Sequence, residues 1–378
     1  EESLNTILEM AEYKSQNCKK LIVTGCLAQR YLTDLQKELP EVDRFITIDE
    51  YDHISDILEE ELNGSANPCE HTRLLSTKPW FAYLRIADGC DNRCAYCAIP
   101  LIRHDYRSVP MEELLKEAEY LAKQGVKELN LIAQDTSRYG IDLYGKHRLL
   151  DLLTELNRIE GFHWIRVLYL YPDEISDELV VGMSELNKVV PYFDIPIQYG
   201  NDRMLKLMNR RGTIAEIKHT IGLIRSTFAH SVIRTTMIVG FPTETAKDFQ
   251  DLLDFVEEMR FDRMGAFTYS LEEDTPSYDM RPRVSRKVMD RRMGQLMELQ
   301  QKIAQQNSEA LVDEVLEVLI ESHDGLTEQY RGRSIYSAPD GIDGIVKFKP
   351  LKKHNPGEFV KVKIRKASMH DLIGVETE

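Results

Sequence analysis

The chain has 378 residues, enough for two or three domains, and an ordinary hydrophobic content of 42%. Forty-eight Lys and Arg stand against sixty-three Asp and Glu, a net charge of −15, which argues against broad nonspecific binding to nucleic acid. No apolar run is long enough to cross a bilayer, so no membrane partner is expected. Six cysteines, three of them crowded at one point, suit a metal centre in a reducing cytoplasm better than a disulfide framework.

The chain opens with helical periodicity (Leu4, Ile7, Leu8, Ala11) and no initiator Met, and is expected to be truncated at its N-terminus. A strand is expected over 21–24 and a short one over 45–48, with helices around them, as in part of a doubly wound domain. A linker containing Gly64, Asn67 and Pro68 follows. From Trp80 onwards β-branched, apolar runs at 80–87, 127–133, 163–170, 192–197, 231–239 and 261–269 alternate with amphipathic stretches at 111–124, 148–159, 213–228 and 243–259. That alternation predicts parallel pairing in an α/β architecture, and periodicity alone leaves open sheet and barrel both possible. A long helix over about 285–307 leads to short strand-like runs at 315–321, 328–334, 345–349 and 358–365. These read as a small OB-like antiparallel barrel. Its second half carries Lys347, Lys349, Lys352, Lys353, Lys361, Lys363, Arg365 and Lys366, either a grip for RNA or a solvated strand face.

The chemistry concentrates in Cys90-Asp-Asn-Arg-Cys94-Ala-Tyr-Cys97, directly after the first of the six runs. Three thiols within eight residues can wrap one soft metal centre. Three ligands leave one corner of a four-iron cluster open, as catalytic zinc keeps an open position for substrate. The plainer readings are a zinc knuckle with a distant fourth ligand, or free thiols in a loop.

The stretch from Asp88-Gly-Cys90 to Cys97-Ala-Ile-Pro100 resembles the cluster loop of radical S-adenosylmethionine (SAM) enzymes. The resemblance implies a [4Fe-4S] cluster on Cys90, Cys94 and Cys97 whose open iron takes SAM. It also implies a partial (β/α)6 barrel with its chemistry at the carboxyl ends of the strands. Over nearly the whole chain the domain order resembles the methylthiotransferases: residues 1–73 as a partial N-terminal domain and linker, 74–308 as the radical SAM core, 309–378 as a TRAM barrel. Val23-Thr-Gly-Cys26-Leu-Ala-Gln-Arg-Tyr31 is similar to the motif around the last of three cysteines that hold a second [4Fe-4S] cluster in that family. Cys26 is therefore implied as an auxiliary-cluster ligand, or else is a small buried residue at a strand end. Cys18 and Cys69 match no motif.

The family divides by substrate. Leu131-Ile-Ala-Gln134-Asp135 with its continuation to Tyr144, Pro191 to Gln198, and Gly265 to Pro276 all resemble the RimO-type branch. That branch adds a methylthio group to the β-carbon of an aspartyl residue in small-subunit ribosomal protein twelve. The alternatives are a MiaB-type tRNA-adenosine enzyme and a zinc-binding fragment that docks on RNA or the ribosome. The resemblance further implies an electron donor as partner and cofactor contacts from Tyr96 (over the adenine), Gln134 and Asp135 (the methionine amino group), Gln198 (the ribose) and the strand end Gly240-Phe-Pro242. Arg103 and Arg107 are expected near the cofactor carboxylate or an acidic substrate loop, and Ile99, Ile195 and Phe241 as closing apolar walls. The family's Arg-Gly-x-x-Arg-Ser-Arg reads Arg103-His104-Asp-Tyr-Arg107-Ser-Val here, so the charge of that loop departs from the pattern.

Overall fold

The computed structural model describes residues 2–62 and 73–378; the Gly64, Asn67 and Pro68 linker and Cys69 lie outside the described residues. The chain divides into two units, one comprising 1–74 with 98–105, the other 75–97 with 106–378. In the smaller unit helices Glu2–Glu12, Cys26–Glu38 and Ile54–Leu62 accompany a parallel pair of strands, Ile22–Thr24 and Arg44–Ile46. Ile7, Ala28, Leu35, Leu39 and Phe45 form its core. Helix Ile99–Arg103, which follows the cysteine loop in sequence, belongs to this unit.

The larger unit is built on six strands: β1 (Phe81–Arg85), β2 (Glu128–Ile132), β3 (Trp164–Val167), β4 (Val189–Asp194), β5 (Val232–Val239) and β6 (Arg263–Thr268). They pair in chain order and all in parallel, so each strand end reached by the chain lies on the same edge. Parallel neighbours need crossover connections, and helices supply them. Leu149, Leu152, Leu153 and Leu156 show the logic: spaced by three and four, they bury one stripe of helix Leu149–Arg158. One face of the sheet packs against the helices in a core running from Ala82 to Ile303. Two crossover helices that the sequence reading did not mark, Asp177–Ser184 and Asp202–Leu207, also lie in this unit.

After the long helix Arg286–Glu309 the chain forms a closed five-stranded barrel of β7 (Val315–Asp324), β8 (Gln329–Arg333), β9 (Val346–Lys349), β10 (Phe359–Ala367) and β11 (Leu372–Thr377). The strand β11 lies beyond the runs expected from sequence; it closes the barrel antiparallel to β10 and parallel to β9. Closure removes the free edges that an open small sheet would expose. The barrel packs on the second face of the six-stranded sheet, where Trp164, Leu168, Val190, Tyr192 and Val232 meet Leu319, Tyr336 and Ala338. Among the described residues no helix is long and apolar enough to cross a membrane.

Candidate radical SAM centre

The cysteine loop leaves the end of β1 and is pinned from two directions. From the end of β2, the Asp135 carboxylate accepts a 2.7 Å hydrogen bond from Asn92 Nδ2, inside the Cys90–Cys94 interval. Asp135 is fully buried, and its other oxygen takes the Ser137 hydroxyl. Burial holds its carboxyl above the usual carboxylate range, against the lowering pull of Ser137 and Asn92. Asp135 is thus occupied in holding the loop. From beyond β4, Met208 accepts the Ala95 amide at 2.9 Å, Asn209 Nδ2 donates to the Arg93 carbonyl at 2.8 Å, and Arg211 Nη2 donates to Asn92 Oδ1 at 2.8 Å. Arg93 and Asn209 sit in the left-handed region (φ 47° and 55°), the backbone cost of this close docking.

Cys94 is buried, while Cys90 and Cys97 are half-exposed. Burial raises the Cys90 thiol to about 11, and the charges of Asp135, Cys94 and Cys97 push in the same direction. The three sulfurs therefore share one electrostatic neighbourhood. No three His, Cys, Asp or Glu side chains among the described residues converge on the point a single ion would occupy. Soft thiolate donors around a partly open site fit an iron–sulfur cluster. The side-chain amide oxygen of Gln134, which precedes Asp135 past the end of β2, is buried without a hydrogen-bond partner among the described residues. An orphaned acceptor of that kind fits an ammonium donor brought by a ligand.

The other expected residues are placed as follows. Tyr96 is half-buried; burial and the Cys94 thiol push its phenol well above the usual range, against the lowering pull of Arg210. Gln198 follows β4 with φ 80°, bridges in parallel to Met237, and points its amide at the Pro196 carbonyl (3.4 Å). Gly240 follows β5 with φ 81°, and a Cβ there would collide with Met289 Cγ. Its amide donates to Glu244 Oε2 at 2.8 Å. Pro242 is buried in the same turn. Ile195 and Phe241, just past the ends of β4 and β5, are buried in the same apolar cluster as Ala95 of the cysteine loop.

Arg107 is exposed and forms a short antiparallel bridge with Asp88. In the smaller unit Arg103 Nη2 lies 3.6 Å from the Cys26 thiol, so Arg103 is grouped with Cys26. Cys26 is exposed at the start of its helix, which departs from the buried alternative. Site residues absent from the sequence reading are Asn92, Ser137, Tyr171, Arg210, Arg211 and Glu244. Of these Asn92 was findable, as an amide within the cysteine spacing; Tyr171 follows β3, and Arg210 and Arg211 follow helix Asp202–Leu207, far along the chain from the thiols.

Comparison with known proteins agrees with this geometry. Residues 84–256 match the radical SAM superfamily and residues 312–376 the TRAM domain. The chain is 47% identical over 393 aligned positions to the ribosomal protein uS12 methylthiotransferase RimO of Acetivibrio thermocellus, covering 99% of this chain and 86% of that protein. It is 46% identical to the proteins of the same name from Alkaliphilus oremlandii and Clostridioides difficile, again over 99% of this chain and 86% of theirs. Among solved structures, the cobalamin-dependent SAM radical enzyme OxsB with aqua-cobalamin and SAM bound has a TM-score of 0.50 at 14% identity, over 80% of this chain and 46% of that one, a likeness of fold. A three-thiol loop at the carboxyl edge of a six-stranded parallel sheet, a closed terminal barrel and near-half identity along the whole chain place this protein in the RimO family of radical SAM methylthiotransferases.

Proposed function

We propose that the chain is a ribosomal protein uS12 methylthiotransferase, adding a methylthio group to the β-carbon of an aspartyl residue. The observation that carries this reading is identity of 47% spanning both the cysteine loop and the terminal barrel. Cys90, Cys94 and Cys97 would hold a [4Fe-4S] cluster with one corner left for SAM. When bound, cluster and SAM supply the hydrogen-atom abstraction that an unactivated carbon requires.

The chain's own residues do the positioning. Asp135 and Asn92 fix the loop, and the Gln134 side-chain oxygen would accept from the cofactor's amino group. Tyr96 and Gln198 would contact the cofactor's adenine and ribose, Gly240 and Pro242 would shape the turn after β5, and the exposed Arg107 would serve the cofactor carboxylate or an acidic substrate loop. Cys26, with Arg103 beside its thiol, would serve a second cluster. We further read 1–73, 74–308 and 309–378 as the functional divisions, in a cytoplasmic protein that draws on an electron donor. An RNA contact would use the exposed Lys349, Lys352, Lys353, Lys361 and Lys366, since Lys347 pairs with Asp371 and both Lys363 and Arg365 with Asp313.

The test is mass analysis of uS12 peptides and tRNA nucleosides from cells with and without the gene. A methylthio group lost from uS12 alone is expected. Loss from tRNA with uS12 unchanged would move the substrate to the MiaB-type branch.

A further inference from the structure

Arg210 is the buried cation of this site, 7% exposed. Its Nη1 points at the Cys94 sulfur at 3.7 Å, and its Nη2 donates to the Pro196 carbonyl. The guanidinium carbon lies 3.7 Å over the Tyr171 ring centroid, and the Tyr171 hydroxyl stands 3.6 Å from the same sulfur. Tyr171 is itself locked, its amide donating to Ser137 Oγ at 2.9 Å within the Asp135 network. The neighbouring Arg211 is neutralised by Asp173 and Glu174 at 3.0 and 2.7 Å. Arg210 has no carboxylate within ion-pair reach among the described residues. A buried guanidinium without a carboxylate is costly unless another anion answers it. The anion at hand is the Cys94 sulfur, the most buried of the three thiols.

We propose that Arg210 and Tyr171 form a cationic, hydrogen-bonding seat for the Cys94 sulfur that raises the reduction potential of the cluster held by Cys90, Cys94 and Cys97. The inference rests on the radical SAM reading above. One-electron reduction adds a negative charge to a thiolate-bound cluster, and hydrogen bonds to its sulfurs and nearby positive charge stabilise that reduced form. The structure builds this seat at Cys94.

The experiment is an anaerobic redox titration of the reconstituted full chain with a mediated dithionite couple. The midpoint is read by electron paramagnetic resonance on the signal that SAM addition perturbs. Arg210→Met, which keeps the length and removes the charge, is expected to shift the midpoint to more negative potential, and Arg210→Lys to recover part of the shift. Tyr171→Phe removes only the hydroxyl and is expected to give a smaller shift of the same sign; it remains a test if Arg210→Met fails to take up iron. An unchanged midpoint in every variant that keeps its cluster overturns the inference. So does an unchanged midpoint with weakened SAM binding in Arg210→Met, which would make Arg210 a cofactor contact instead. Absence of any SAM-perturbed iron–sulfur signal in the unsubstituted chain would instead sink the radical SAM reading on which the inference stands.

Discussion

At Gly240 two separate constraints meet. Its φ of 81° is costly for a residue with a Cβ, and the Met289 side chain from the long helix occupies the space a Cβ would take. The glycine is therefore explained before any ligand is considered, and its amide is already committed to Glu244. Glu244 in turn meets the Arg292 guanidinium, so the turn after β5 is tied to the same helix twice. Gly240→Ala should destabilise the protein by about 1–3 kcal/mol, the left-handed backbone term and the overpacking term together. Adding Met289→Ala separates them, because it relieves the contact and leaves the backbone strain. Thermal melts of the single and double variants check this. A double variant no better than the Met289→Ala and Gly240→Ala costs added together would mean that contact with Met289 is irrelevant.

Between elements, the same economy of polar contacts fixes helix Asp202–Leu207 to helix Ala246–Met259. Asn201 caps the first by accepting the Met204 amide at 2.9 Å, and its amide reaches Asp248 at 3.1 Å. Asp248 closes a capping box with Thr245 at the start of the second helix and accepts Arg203 Nε at 2.9 Å. The Arg203 hydrogen bonds, with those of Thr245 and Asn201, hold the Asp248 carboxyl below the usual carboxylate range, against burial. Its native pKa is thus below the unfolded value of about 3.9. The stabilisation is therefore full above that pH and is lost as pH falls through the native value. Asp248→Asn should lower stability at neutral pH and flatten the acid limb of the stability–pH curve, measured by urea unfolding between neutral pH and acid. An acid limb as steep as in the unsubstituted chain would assign that slope to other carboxylates. These elements also show what was legible in the sequence. The strands β1 to β6 and the long helices announced themselves through runs and stripes, and the thiol spacing marked the centre unaided. The seat of Cys94 did not, because Tyr171 follows β3 and Arg210 follows helix Asp202–Leu207, and nothing local distinguishes Arg210 from Arg211. Strand β11 was missed because Leu372-Ile-Gly-Val-Glu-Thr377 is short and carries a glycine, and only its two partners make it a strand.

At the scale of the molecule, the terminal barrel is joined to the six-stranded sheet by buried charge as well as apolar contact. Glu128, at the start of β2, accepts Arg166 Nε at 2.8 Å and Arg333 Nη2 at 2.6 Å, and all three side chains are fully buried. Arg333 continues to Glu321 at 2.6 Å, and Arg166 Nη1 donates to the Ile335 carbonyl at 3.1 Å, so the chain of charges runs from β2 and β3 into β7, β8 and the segment after it. Burial opposes ionisation of Glu128, but Arg333 and Arg166 outweigh it and hold its carboxyl below the usual range. A second link is neutral to charged: the Tyr192 hydroxyl of β4 donates to Asp343 at 2.6 Å. Such a network is weak evidence for net stability, since apolar packing of equal volume can do as well, yet breaking it from one side is expensive. The consequence is that the barrel is a fixed wall of the sheet's second face and unfolds with it. Glu128→Ala takes the carboxylate from the buried Arg166 and leaves Arg333 with Glu321 alone, and should cost about 3–5 kcal/mol. Because both partners of the interface are weakened together, calorimetry of the larger unit should show one transition moved down in temperature. If the terminal barrel instead melted separately while the six-stranded sheet kept its original midpoint, the charge chain would be incidental and the barrel an independent module, free to reach for substrate by itself.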